Sequence, residues 1–109
     1  MLEPKSEIYT ILSSIGTAYQ RRAGVVRDMP CYIYDITGNT PIYSLDKEVE
    51  YQEIEVTIDI FAENSKESGP LLTTLVETMI NNDYRMTYCS DISDDKYSHI
   101  TTVFNLVGY

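Results

Sequence analysis

Tryptophan is absent from this chain of 109 residues, histidine occurs once, and 8 lysines and arginines stand against 17 aspartates and glutamates. Each shortage removes a class of chemistry or partner. A lone His99 has no second imidazole with which to share a metal, and no nucleophile to serve as base. The formal charge of -9 disfavours adhesion to nucleic-acid phosphates or anionic membranes. No window approaches the roughly eighteen continuous apolar residues of a membrane span, and MLEPKSEIYT lacks a basic start followed by an apolar run. Neither membrane insertion nor secretion is therefore expected. Gly16, Gly24, Gly38, Gly69 and Gly108 nowhere take up nucleotide-binding spacing, and no lysine-serine follows them. No catalytic residue, cofactor or metal is expected. The two cysteines, Cys31 and Cys89, lie in strand-like segments without secretory context, which predicts buried, reduced thiols.

What is present is a folded acidic domain. Hydrophobic residues make up 43% of the chain and fall at regular periods, so one domain over residues 1–109 with a single two-layer core is expected. The clearest period lies in EIEVTIDIFA, residues 53–62. One face reads Ile54, Val56, Ile58, Ile60 and the other Glu53, Glu55, Thr57, Asp59, the alternation of a half-buried strand. Three carboxylates on one strand face repel one another and lower strand propensity. Folding does not ask for them; solubility or a placed acidic surface does.

The remaining pattern predicts the order α-β-β-α-β-β. Ile8, Ile11, Leu12 and Ile15 recur at helical spacing between Pro4 and Gly16, predicting a helix over 5–19. QRRAGVVRDMP reads as a loop carrying Arg21, Arg22 and Arg27, either a solvated connector or a grip for an acidic neighbour. Residues 31–36 are β-branched and aromatic and predict a strand, which TGNTP at 37–41 should break. Residues 41–48 read as a long loop with a short edge strand. After the acidic strand, Leu71, Leu72, Leu75, Val76, Met79 and Ile80 mark a second helix. Ser65 or Ser68 would cap it, Pro70 would fall in its first turn, and Asn81 and Asn82 would take the left-handed conformation at its end. Strands over 84–89 and 97–107 follow, joined by the acidic turn SDISDDK. In the last strand Ile100, Thr102, Phe104 and Leu106 share one face, and His99, Thr101 and Asn105 the other. The expected fold is α+β, a four-stranded mainly antiparallel or mixed sheet flanked by two helices.

Asp91, Asp94 and Asp95 lack the alternating ligands, central glycine and distal glutamate of a calcium loop, and read as a solvated turn. Ten tyrosines are unusual. Tyr32, Tyr34, Tyr43, Tyr51, Tyr84, Tyr88, Tyr97 and Tyr109 combine apolar area with a polar tip, which suits either protein contacts or half-buried sheet faces.

The succession EIYTILSSIG, PCYIYD, LDKEVEYQE, EVTIDIFAEN, LLTTLVETMINNDYRM, SDISDDKYSH and ITTVFNLVGY resembles the tail-terminator, or tail-completion, proteins of long-tailed bacteriophages over almost the whole chain. The strand "idiFAeN" before a helix and the late Y-x-H entering the final strand carry the likeness. It implies a non-enzymatic virion protein that caps the tail tube and stops its polymerisation. It also implies a homo-oligomeric ring, a hexamer in the virion and compatible with a monomer in isolation, that meets the tail-tube protein below and a neck or head-completion protein above. Localisation would be the neck end of the virion tail, and the host cytoplasm during assembly. DNA would pass through the ring without specific binding. Six copies carry a formal -54, and a channel or subunit seam bearing Glu53, Glu55 and Asp59, with His99 and Arg21, Arg22 and Arg27 as further contact residues, would suit that passage. Two alternatives differ in kind: another neck or head-to-tail joining protein, and an acidic DNA mimic that inhibits a host nucleic-acid enzyme.

Overall fold

A computed structural model describes residues 4–20, 29–43 and 49–108. Two helices lie on one face of a five-stranded sheet. The elements are α1 (Pro4–Ser13), β1 (Ala18–Gln20), β2 (Cys31–Tyr43), β3 (Val49–Ala62), α2 (Ser65–Asn81), β4 (Arg85–Asp91) and β5 (Ser98–Gly108). The strand order is β1-β2-β3-β5-β4, antiparallel throughout except for the parallel β1–β2 pair. The α+β class agrees with the sequence reading, while the sheet has five strands rather than four and is mixed.

The fifth strand comes from what reads as the end of the first helix. α1 stops at Ser13, and the amides of Ile15 and Gly16 close onto the Leu12 carbonyl at 3.1 and 3.0 Å. Serines and glycine weaken the helix there, and pairing opposite Tyr32–Tyr34 draws Ala18–Gln20 into the sheet. Gly16 packs closely on Tyr32: a Cβ there would meet the ring at 3.1 Å, and the ring would have to give by a few tenths of an ångström.

The predicted break at 37–41 is a second correction. β2 runs through it, absorbing Thr37 as a bulge between Ile36 and Gly38 and carrying Pro41 within the strand. Proline survives in a strand where its missing N–H is not needed by the ladder. Of the predicted loop over 41–48, Pro41–Tyr43 belong to β2 and residues 44–48 lie outside the described residues.

α2 begins earlier than expected. Asn64, rather than Ser65 or Ser68, is the N-cap, its side chain accepting the Glu67 amide at 3.1 Å. Pro70 consequently sits in the second turn, where it withholds one helical hydrogen bond. At the other end Asp83, not Asn81 or Asn82, takes the left-handed conformation (φ 68°), and the Tyr84 amide reaches back to the Met79 carbonyl at 2.9 Å. β4 and β5 are displaced by one or two residues from the expected 84–89 and 97–107.

The core is the face predicted for the acidic strand. Ile54, Val56, Ile58 and Ile60 are fully buried with Tyr32, Tyr34, Ile100, Phe104 and Leu106, against Ile8, Ile11 and Leu12 of α1 and Leu75 and Met79 of α2. Thr102 holds its expected place on this face and donates its hydroxyl to the Ile58 carbonyl at 2.7 Å. On the opposite face Cys31, Ile33 and Phe61 form a second, small buried cluster flanked by Tyr19, Met29 and Tyr97.

The molecule is elongated, 53 × 28 × 23 Å, with a radius of gyration of 14.9 Å where a compact chain of this length would have about 13 Å. β2 and β3 account for the long axis. β5 leaves β3 at the Gln52–Gly108 pair, and β2 and β3 continue as a two-stranded arm through Ile42–Tyr51 and Tyr43–Val49. No helix among the described residues is long and apolar enough to cross a membrane.

Candidate functional site: the outer face of the sheet

The face away from the helices carries most of the residues that the sequence singled out, but it does not treat them alike. Glu53 and Glu55 are exposed at the arm end. Asp59, two rungs further along the same strand face, is 2% exposed and is therefore not part of an acidic surface. It stands between Ile33 of β2, a member of the small apolar cluster, and Thr101 of β5. A carboxylate buried there requires a partner. His99 supplies one: its Nε2 lies 3.5 Å from Asp59 Oδ1, and its ring stacks on Phe61 at 4.1 Å between centroids, 24° from parallel. His99 is partly buried and faces the expected side of β5. Arg21, Arg22 and Arg27 lie outside the described residues.

At the arm end the carboxylates stay wet. Thr37 donates to Glu55 Oε1 at 2.9 Å, and its oxygen lies 3.3 Å from the Thr57 hydroxyl. Gly38 lies opposite Glu55, and a Cβ at Gly38 would come within 3.1 Å of the Glu55 Cβ. Gly38, Thr40, Glu53, Glu55 and Asn105 border an open depression of about 210 Å³. The row across the sheet is Gly38, Glu55, Asn105, Arg85, which places a basic residue at the far edge of the acidic row. That edge is β4, exposed along nearly its whole length, with Met86 and Tyr88 among the large exposed apolar side chains. Cys89 is on this edge and exposed, contrary to the expected burial, whereas Cys31 is buried; both are free thiols.

Asp91 and Asp94 hold the β4–β5 turn together. Asp91 accepts the Ser93 hydroxyl, and its amide at 2.9 Å; Asp94 accepts the Lys96 and Tyr97 amides at 2.8 and 3.1 Å. These hydrogen bonds hold both carboxyls below the usual aspartate range. Among the described residues no group of three histidine, cysteine or acidic side chains is placed to hold a metal. Ser98 donates to Ser68 at 2.8 Å, tying the turn to the start of α2.

The tyrosines divide. Tyr32, Tyr34 and Tyr84 are core residues, Tyr97 is half-buried, and Tyr88 and Tyr9 are exposed. Burial pushes the Tyr32 phenol up to about 12 and those of Tyr34 and Tyr84 upward as well, so these hydroxyls stay protonated. Tyr32 donates to the Leu71 carbonyl at 3.0 Å, an anchor between sheet and α2.

The second cluster is the feature that alternation alone concealed. Its signal is present in PCYIYD and IDIFA, where both parities are apolar or aromatic, as in a strand covered on both faces. In comparisons with known proteins, no family profile matches the chain and no curated protein matches it at a significant level.

Proposed function

We propose that the chain is a ring-forming virion assembly protein that caps a phage tail tube, stops its polymerisation and presents the docking ring for the head. The observation that carries the reading is the arm: β2 and β3 run past the end of the three-stranded support as a two-stranded ribbon. Such a ribbon is marginal in water by itself and gains its stability from a neighbour. The whole-chain resemblance to tail terminators gives that neighbour an identity, a second copy or the tail tube. The exposed Glu53 and Glu55 then line the channel, where they keep DNA phosphates from adhering, or lie at the seam between copies. Burial of Asp59 shortens the acidic row to two wet carboxylates, which weakens the alternative of a DNA mimic with phosphate-spaced charge.

Electron microscopy of tail tubes assembled from the tube protein with and without this chain tests the reading. Uniform tubes bearing a terminal ring are expected with it, and tubes of uncontrolled length without it. Identical length distributions and bare ends in both samples reject the proposal. In a second step the Glu53→Lys, Glu55→Lys variant separates the two placements. Capped tubes with slowed DNA ejection place the carboxylates in the channel, and failure to cap places them at the seam.

A further inference from the structure

We infer that the seam between copies is a strand-to-strand junction in which β4 of one copy adds to the Asp35–Thr40 edge of β2 in the next, with Arg85 reaching Glu55 of that neighbour. The inference rests on the ring reading and names the surface that builds it.

β4 is one border of the sheet. It exposes Met86 and Tyr88 beside unpaired backbone and carries neither lysine nor proline, the residues that commonly blunt an edge. On the opposite border β1 accompanies β2 over Tyr32–Tyr34 alone among the described residues. Beyond it Thr37, Asn39 and Thr40 are exposed, up to Pro41, which has no N–H to offer. The strand directions match. Successive antiparallel pairing along β2-β3-β5-β4 leaves β4 running opposite to β2, so a neighbour of the same orientation brings its β2 alongside β4 as an antiparallel partner.

Charge supplies the complementarity. Arg85, Asn105, Glu55 and Gly38 occupy one row on the outer face. When the row continues into the next copy, Arg85 faces Gly38, which has no side chain, and behind it stands Glu55 about two strand spacings, ~10 Å, away from the Arg85 backbone. An extended arginine and a glutamate close that gap. If the neighbour slides along the arm, Glu53 behind Thr40 takes the same place. Both edges are also bulged beside one shared row, that of Ile36, Val56, Phe104 and Met86. Because the two edges differ and lie on opposite sides, the contact is head-to-tail; it propagates, and closes into a ring when the rotation between copies returns to the first, whereas a self-complementary patch would stop at a dimer.

The test is cross-linking of the full chain carrying Thr87→Cys and Thr37→Cys, the two bulge residues that this register brings side by side, in a Cys89→Ser background, free and on tail tubes, with a bismaleimide spanning about two strand spacings. Cys31 is buried and out of reach. The expected product is a ladder of covalent multimers that ends in a closed species. Adding Arg85→Glu should lower the yield about tenfold, and adding Glu53→Arg and Glu55→Arg to it should restore the ladder; thermal melting shows that each variant is folded. A product that stops at dimer, rings visible by microscopy that do not cross-link, or a ladder indifferent to Arg85→Glu each overturn the seam while leaving the capping function standing. A chain that forms neither rings nor caps overturns both.

Discussion

The two halves of β3 obey the same alternation and come to opposite ends. From Glu53 to Val56 one parity is buried under the helices and the other stays in water. From Ile58 to Ala62 every residue is buried, including Asp59 at 2% and Phe61 at 6% exposure. The helix-facing parity is apolar all along, so the difference lies in what covers the outer face. At the base Cys31, Ile33 and Phe61 pack together with Tyr19, Met29 and Tyr97 around them; towards the arm Thr37, Glu55 and Asn105 remain wet. An acid at a given parity is therefore a surface residue in one half of the strand and a buried carboxyl in the other. Spacing alone does not separate Glu55 from Asp59.

Substitutions can break this contrast at graded strength. The largest effect is expected at the shared core: Ile58→Asp puts an unpaired charge at a site with no exposure and should cost more than about 4 kcal/mol, enough to leave no soluble folded protein. Thr57→Asp, one residue away on the half-exposed side, should fold. Soluble yield and circular dichroism measure both. Equal outcomes would mean that the strand is not two-faced.

A smaller and more discriminating effect separates the two halves. Asp59→Ala removes the carboxylate 3.5 Å from His99 Nε2 in a buried setting and should cost about 2–3 kcal/mol. Glu55→Ala, exposed and held by Thr37, should stay within about 0.5 kcal/mol. Chemical denaturation of the two variants checks the ratio, and a comparable loss at Glu55 would erase the distinction between base and arm.

The smallest effect concerns acid. Asp91 and Asp94 are held below the ordinary aspartate value of 3.8 by hydrogen bonds from Ser93 and from the Lys96 and Tyr97 amides. A folded carboxyl that is depressed relative to the unfolded one contributes stability above the unfolded value, and that contribution drains away as pH falls through the lower, folded one. Melting temperatures should therefore fall as pH drops below about 4, and less steeply in Asp94→Asn than in the natural chain. Both residues are fully exposed, so the slope difference should be slight. An identical slope in the variant would show that the turn contributes nothing to acid sensitivity.

Much of the fold was legible wherever one period ran long enough. The Ile54–Ile60 face, the Ile100–Leu106 face and the stripe of α2 were all readable, because burial on one side leaves a periodic trace. The reading failed where local signals met a pairing partner. Ser13, Ser14 and Gly16 end α1 before Ala18–Gln20 join β2, and Thr37 to Pro41, strong turn formers, run as strand because β3 stands opposite. Of the candidate site, Glu53, Glu55 and His99 lie on the predicted face, while Asp59 was misplaced because the outer cluster that buries it joins β1, β2 and β3 with Met29 and Tyr97 from the segments just ahead of β2 and β5.

By itself, then, the sequence determined the class of fold, the apolar faces and the acidic excess, since these follow from composition and from periods of 2 and 3.6 that each element writes locally. The tertiary structure alone decided which carboxylate is buried, which strands border the sheet and that Arg85 shares a row with Glu55. These depend on register between segments tens of residues apart, and register is set by how faces cover one another, which no single segment records.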